Sequence, residues 1–151
     1  MSMTVAELLR DKAKQSPNAT LFTIAPNANV TDAVALMVAK AISSVIVTRD
    51  NQMMGLITVR EILAALNTQG SAIIQARCEA VMKPNPPTAK PDDTVDYLRS
   101  LMTEQHITHV PVLDAGTLVG ILSFHDIARS AIKDAAFENQ LLKQYIKHWP
   151  E

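Results

Sequence analysis

Residues 23–62 of this chain, moved forward by 65 positions without a gap, fall onto residues 88–127. Thr23 lands on Thr88, Pro26 on Pro91, Val30 on Val95, Leu36 on Leu101 and Met37 on Met102. Further on, Ile42 meets Ile107, Val45 meets Val110, Val47 meets Val112, Gly55 meets Gly120 and Ile62 meets Ile127. Conservative matches join them: Ser43 with Thr108, Thr58 with Ser123, Glu61 with Asp126. An internal repeat fixes architecture before any local pattern is weighed. Two copies are too few for a solenoid. They predict two similar half-modules about a pseudo-twofold axis, with paired clefts at the seam.

Composition narrows what such a pair can be. With 151 residues the chain can build one good core, or two small halves that share one. Apolar residues make up 48% of the chain and aromatics only 4%, so the core must be aliphatic. A formal charge of −1 with no basic block argues against nucleic acid as a partner. No run approaches the ~18 apolar residues of a membrane span, and the start, Met1 to Lys14, is too polar for a secretory signal. The single cysteine, Cys78, excludes an internal disulfide and fits a reducing compartment. The expectation is a soluble, cytoplasmic protein that engages neither membrane nor nucleic acid.

Each copy reads as strand, helix, strand, strand, helix. In the first, Leu21–Ile24 is a short strand, Asn29 caps a helix to Ala41, and Val30, Val34, Met37 and Ala41 mark its inner face. Ser44–Thr48 and Met53–Ile57 are strands joined at Asp50-Asn51, and Thr58 opens a helix. The second copy repeats this from Thr88. Ahead of the repeats, Thr4 and Glu7 have capping-box spacing for a helix that Ser16-Pro17-Asn18 ends. Behind them, Glu138–Trp149 reads as a further helix with Leu141, Leu142, Tyr145 and Trp149 on one side. The expected division is an N-terminal helix over 1–19, a first repeat over 20–68, a connector over 69–87, a second repeat over 88–133 and a C-terminal helix over 134–151. A unit of about 60 residues buries too little alone, so the halves should pack sheet to sheet.

Both copies close their last strand on the same polar pattern: Gly55-Leu56-Ile57-Thr58-Val59-Arg60-Glu61 and Gly120-Ile121-Leu122-Ser123-Phe124-His125-Asp126. A hydroxyl followed three residues on by an acid is the spacing of a capping box. The same parts can hold a nucleotide: amides at a helix start attract phosphate, a glycine lets a flat ring approach the backbone, and a short carboxylate can accept both hydroxyls of a ribose.

These residues resemble the CBS domain, the regulatory module named after cystathionine β-synthase, in tandem over about residues 20–132. The family pattern Gly-x-x-Thr/Ser-x-x-Asp stands here as Gly120, Ser123 and Asp126. Its His-x-Pro-Val strand is His109-Val110-Pro111-Val112, and its short opening strands are Phe22-Thr23-Ile24 and Pro87-Thr88-Ala89. The resemblance implies an α+β fold of two βαββα repeats with extra terminal helices. It also implies that each cleft draws on both copies. One would hold Ser123, His125 and Asp126 with Thr23, Ser44, Val45 and Ile46. The other would hold Thr58, Arg60 and Glu61 with Thr88, His109, Val110 and Pro111. The implied ligand is an adenine nucleotide (AMP, ADP, ATP or NAD) or an S-adenosyl compound. The apolar stripe of Leu141, Leu142, Tyr145 and Trp149 predicts a symmetric homodimer, and without a catalytic motif of its own the chain is expected to regulate a protein partner in trans.

The chain departs from the family pattern at Glu61, where Asp is usual, and at Ile46, where the second copy has Pro111. The extra methylene of Glu61 suits a cap and crowds a ribose, so the clefts should be unequal. His106 and His109 have metal-ligand spacing, but His106 should end a helix and His109 begin a strand. No nucleophile, base and oxyanion arrangement appears, so the chain does not read as an enzyme. The rival reading is a dimerisation scaffold whose polar motifs are caps alone.

Overall fold

A computed structural model describes residues 3–15 and 21–147. The predicted helix stop at Ser16-Pro17-Asn18 and the predicted position of Trp149 lie outside the described residues. Helix α1 (Val5–Gln15) comes first, and its start is capped as its sequence predicts, the Glu7 amide donating to Thr4 Oγ1 at 3.2 Å. The first copy is then β1 (Thr23–Ile24), α2 (Val30–Lys40), β2 (Ser44–Arg49), β3 (Gln52–Thr58) and α3 (Val59–Gln69). A 3-10 turn (Gly70–Gln75), α4 (Cys78–Val81) and β4 (Lys83–Pro84) lead to the second copy: α5 (Val95–Gln105), β5 (His109–Asp114), β6 (Thr117–Ser123) and α6 (Phe124–Lys147).

The repeat governs the register. In the first sheet, ordered β1-β2-β3-β4, Ile46 faces Leu56 and the ladder shifts between Val47 and Thr48. In the second, Pro111 faces Ile121 and the shift falls between Val112 and Leu113, 65 residues on in every case. The parallel pair Ile24↔Val47 returns as a single bridge, Ala89↔Val112. Helices α2 and α5 end on residues in the left-handed region, Ala41 (φ 52°) and His106 (φ 54°), again 65 apart.

A second correspondence, at 73 residues, joins α1 to the connector. The Val5 and Ala6 amides donate to the Asp93 and Pro91 carbonyls at 2.8 and 2.9 Å. The Cys78 and Glu79 amides donate to the Ala28 and Pro26 carbonyls at the same two distances. Thr4 bridges Thr94 as Arg77 bridges Asn29. The helix ahead of the first copy therefore packs on the second copy, while α4 packs on the first. Each half has its own aliphatic core. Val5 and Leu8 of α1 join Leu98, Met102, Val110, Val112, Leu122 and Ile127. Cys78 joins Ala33, Val47 and Ile57, and Val81 joins Val30 and Ala65. The two βαββα halves pack sheet to sheet, with β3 beside β6.

Two local expectations are revised, at α2 and α6, and the connector adds a feature its sequence did not predict. Asn29 sits at the start of α2 without a side-chain cap bond, and the buried face of that helix is Val30, Ala33 and Met37 rather than a stripe through Val34. The connector carries ordered elements, since β4 extends the first sheet. Helix α6 runs unbroken through residues 133 and 134 because Phe124–Lys147 contains neither Gly nor Pro to stop it.

Candidate functional site

Two clefts open at the seam, and residues from both copies line each. The larger, cleft 1, has a volume of about 1140 Å³. Ser123, His125 and Asp126 come to it from the β6–α6 junction, and Ser44 and Ile46 from β2. Phe22 forms part of its wall, beside which Lys40 Nζ lies 5.6 Å from the ring centre. Cleft 2, of about 780 Å³, gathers Thr58, Arg60 and Glu61 with His109, Pro86 and Pro87. His109, His125, Ser43 and Ser123 line both clefts.

Five expected residues lie off the cleft walls. Thr23 is exposed in β1, paired with Ile46, and Thr88 gives way to Pro86 and Pro87. Val45, Val110 and Pro111 are fully buried. The two-residue period of a strand turns Ser44 and Ile46 to the cleft and Val45 away, and it turns Val110 away from the face that His109 presents. Pro111 shares the parity of His109, so the period does not account for its burial. Their backbone positions remain as the repeat sets them.

Both polar motifs form capping boxes. In cleft 2, Glu61 Oε1 accepts from the Thr58 amide at 2.7 Å and from its hydroxyl at 2.6 Å, while Thr58 Oγ1 accepts from the Arg60 amide at 3.2 Å. In cleft 1, Asp126 Oδ2 accepts from the Ser123 amide at 2.8 Å and hydroxyl at 3.0 Å, and the Asp126 amide returns a bond to Ser123 Oγ at 3.1 Å.

Asp126 then takes two cations. Lys12 Nζ, from α1, donates to Oδ2 at 2.9 Å and to the Ile121 carbonyl at 2.8 Å. Arg129 Nη2 donates to Oδ1 at 2.9 Å. Burial alone would raise the carboxyl. The Ser123 amide and Lys12 outweigh it and hold Asp126 below its ordinary value of 3.8. The Asp126 side chain is only 4% exposed.

His109 sits between the clefts, its Nε2 at 2.9 Å from Ser43 Oγ and its Nδ1 at 2.9 Å from Thr108 Oγ1. Burial, and after it the charge of Lys12, lower its pKa from the ordinary 6.5, against the opposing pull of Asp126 and Glu61. His106 caps α5 and His109 opens β5, so the two histidines stand on different elements. Among the described residues no group of three or more His, Cys, Asp or Glu is placed to hold a metal ion. Cys78 is buried in the first core, where burial and the Asp32 charge raise its thiol pKa.

Lys12, Arg129 and Ser43 had no place in the sequence-derived clefts. Arg129 was legible as the residue one turn beyond Asp126 on a helix. Lys12 gave no local signal, being 114 residues away in sequence.

The chain matches the CBS domain family twice, over residues 14–68 and 78–133. It is 25% identical, over 151 residues, to the mitochondrial CBS domain-containing protein CBSX3 of Arabidopsis thaliana, a match spanning 97% of this chain and 73% of that protein. A CBS-domain structure from Burkholderia ambifaria superposes with a TM-score of 0.80 at 33% identity, covering 87% of this chain and 96% of that one. The structure of CBSX2 in complex with AMP superposes with a TM-score of 0.68 at 25% identity, covering 78% and 92% of the respective chains.

Proposed function

The chain belongs to the CBS domain family, and from that premise we propose that it is a regulatory module that binds an adenine nucleotide at the seam. The ligand is AMP, ADP, ATP or NAD(H), and the output is delivered in trans to a protein partner as an energy or redox signal. One observation carries the reading most. Cleft 1 brings a helix start, a ribose-sized carboxylate and a cationic wall of Lys12, Lys40 and Arg129 into one space. Helix-start amides and cations suit phosphate, and Asp126 suits a diol. The AMP complex of CBSX2 supports the same ligand class.

In this reading Ser123, His125, Asp126, Ser44 and Ile46 serve cleft 1, with backbone of Thr23 and Val45 nearby. Thr58, Arg60, Glu61 and His109 serve cleft 2, with backbone of Thr88, Val110 and Pro111. A ligand that bridges the halves favours one relative arrangement of them, and a partner reads the shift in population. The role is regulatory rather than catalytic. We place the protein in the cytoplasm on its single buried thiol; among the described residues no helix is long and apolar enough to cross a membrane. Calorimetry with AMP, ADP, ATP and NAD against guanine and pyrimidine nucleotides tests the reading.

The scaffold alternative has one observation in its favour: both motifs are closed caps, and both carboxylate oxygens of Asp126 already have partners. A chain that binds none of these nucleotides yet self-associates would bear it out.

A further inference from the structure

Lys12 differs from the other cations of cleft 1 in where it comes from and what it holds. It rises from α1, the helix that packs on the second copy, and its ammonium bonds Asp126 Oδ2 and the Ile121 carbonyl. Its side chain is 25% exposed and lines the cleft. Asp126 Oδ2 thus accepts from three donors: the Ser123 amide, the Ser123 hydroxyl and Lys12. A ribose diol cannot be added there unless a donor leaves. The two Ser123 groups are fixed by the cap they build. Lys12 hangs on a flexible four-carbon stem and is the donor that can give way.

Cleft 2 has no such exchange to make. The 73-residue correspondence that pairs Leu9 with Met82 puts Asn85 where Lys12 would be. Among the described residues no cation pairs with Glu61, which accepts from the Thr58 amide and hydroxyl.

We infer that Lys12 makes cleft 1 select phosphorylated over unphosphorylated adenosine compounds, an inference that rests on the adenine-nucleotide reading above. A ligand that takes Asp126 releases an ammonium beside Lys40 and Arg129 on the same wall. A phosphate gives that ammonium a new anionic partner, so one charge-assisted pair replaces another. Adenosine offers no anion, and the freed charge stays unpaired among like charges.

The test is calorimetry on the full chain with adenosine, AMP and ATP. Asp126→Ala identifies the binding component that belongs to cleft 1. Wild type should prefer AMP to adenosine there by roughly tenfold or more, the value of a charge-assisted bond. Lys12→Met should shrink that preference by at least about threefold, with adenosine gaining as Asp126 is freed and Lys40 and Arg129 retaining the remainder, while Lys12→Arg keeps the preference. If Lys12→Met fails to fold, Lys12→Gln gives the same readout. An AMP preference unchanged on loss of the Lys12 charge overturns this inference and leaves the nucleotide reading standing. Failure of every adenine compound to bind wild type overturns both.

Discussion

A β-carbon added to Gly120 would lie 2.8 Å from Leu9 Cδ2, so the α1 side chain occupies the space that glycine leaves open. At the matching glycine the contact is closer. A β-carbon on Gly55 would meet Met82 Sδ at 2.5 Å and the Lys83 carbonyl oxygen at 2.7 Å. Leu9 and Met82 are 73 residues apart, so both glycines receive the segment that crosses onto their half. Gly55→Ala should cost about 1–3 kcal/mol of overpacking, because a backbone oxygen within a sheet cannot step aside. The melting temperature should fall by roughly 2–12 °C. Gly120→Ala should cost less, since the end of a leucine can rotate away. Thermal melts of the two variants check the order, and equal losses would contradict it.

The 65-residue repeat carried the strand registers, including the shared shift after Val47 and Val112, because β-branched and glycine positions recur in step. The 73-residue correspondence stayed hidden. It rests on backbone bonds from Val5 and Cys78, whose side chains share only an apolar, buried setting. The strand period, applied strictly, would have removed Val45 and Val110 from the cleft walls. The Lys12–Asp126 pair lay beyond any local pattern, since it exists only once α1 has crossed to the second copy.

Ligand stabilisation should be measurable directly. A nucleotide at ~100 times its dissociation constant adds about 2.7 kcal/mol to the stability of the folded state. For a chain of this length the melting temperature should rise by roughly 5–10 °C. Adenine nucleotides should produce the shift and guanine or pyrimidine nucleotides a smaller one. A flat response across the panel would favour the scaffold.

His109 should make stability depend on pH. Its folded pKa lies below the ordinary 6.5, so the unfolded chain binds the proton more readily. The contribution is fully present above 6.5 and is lost as pH falls below that value toward the lowered folded pKa. Melting temperature should therefore decline from pH 7 to pH 5.5, and His109→Asn should flatten the decline. Asp126 acts in a separate, more acidic window. Its lowered pKa contributes stability above the ordinary 3.8, which is lost as pH falls through the folded value. A decline just as steep in His109→Asn would assign the effect to other groups.

Helix α6 should mediate a homodimer. Its described residues from Ala131 to Ile146 are exposed, with Phe137, Leu141, Leu142 and Ile146 among them. The side chain of Tyr145 is outside the described set. Isologous pairing about a twofold axis is the commonest way to cover such a surface. Light scattering at micromolar concentration should report a dimer for the wild type and a monomer for Leu141→Asp/Leu142→Asp. A wild-type monomer would refute the pairing.

The two clefts should bind unequally, and their carboxylates set the order. Both carboxylates fold onto their caps, but Asp126 has the shorter reach and the cationic neighbours Lys12 and Arg129, whereas the bonds to Glu61 come from Thr58 alone. Asp126→Ala should remove at least one bound nucleotide. The lost charge-assisted bond costs about 1.5–3 kcal/mol, or roughly tenfold to over a hundredfold in affinity. Glu61→Ala should weaken binding less and lower stability by about 0.5–2 kcal/mol through loss of the cap. Arg60 and His109 still line cleft 2, so a phosphate-rich ligand such as ATP or NAD keeps contacts there when Glu61 is gone. Calorimetry on wild type and both variants reads the two sites in one experiment. Loss of binding in Glu61→Ala, with binding intact in Asp126→Ala, would reverse the order and make cleft 2 the stronger site.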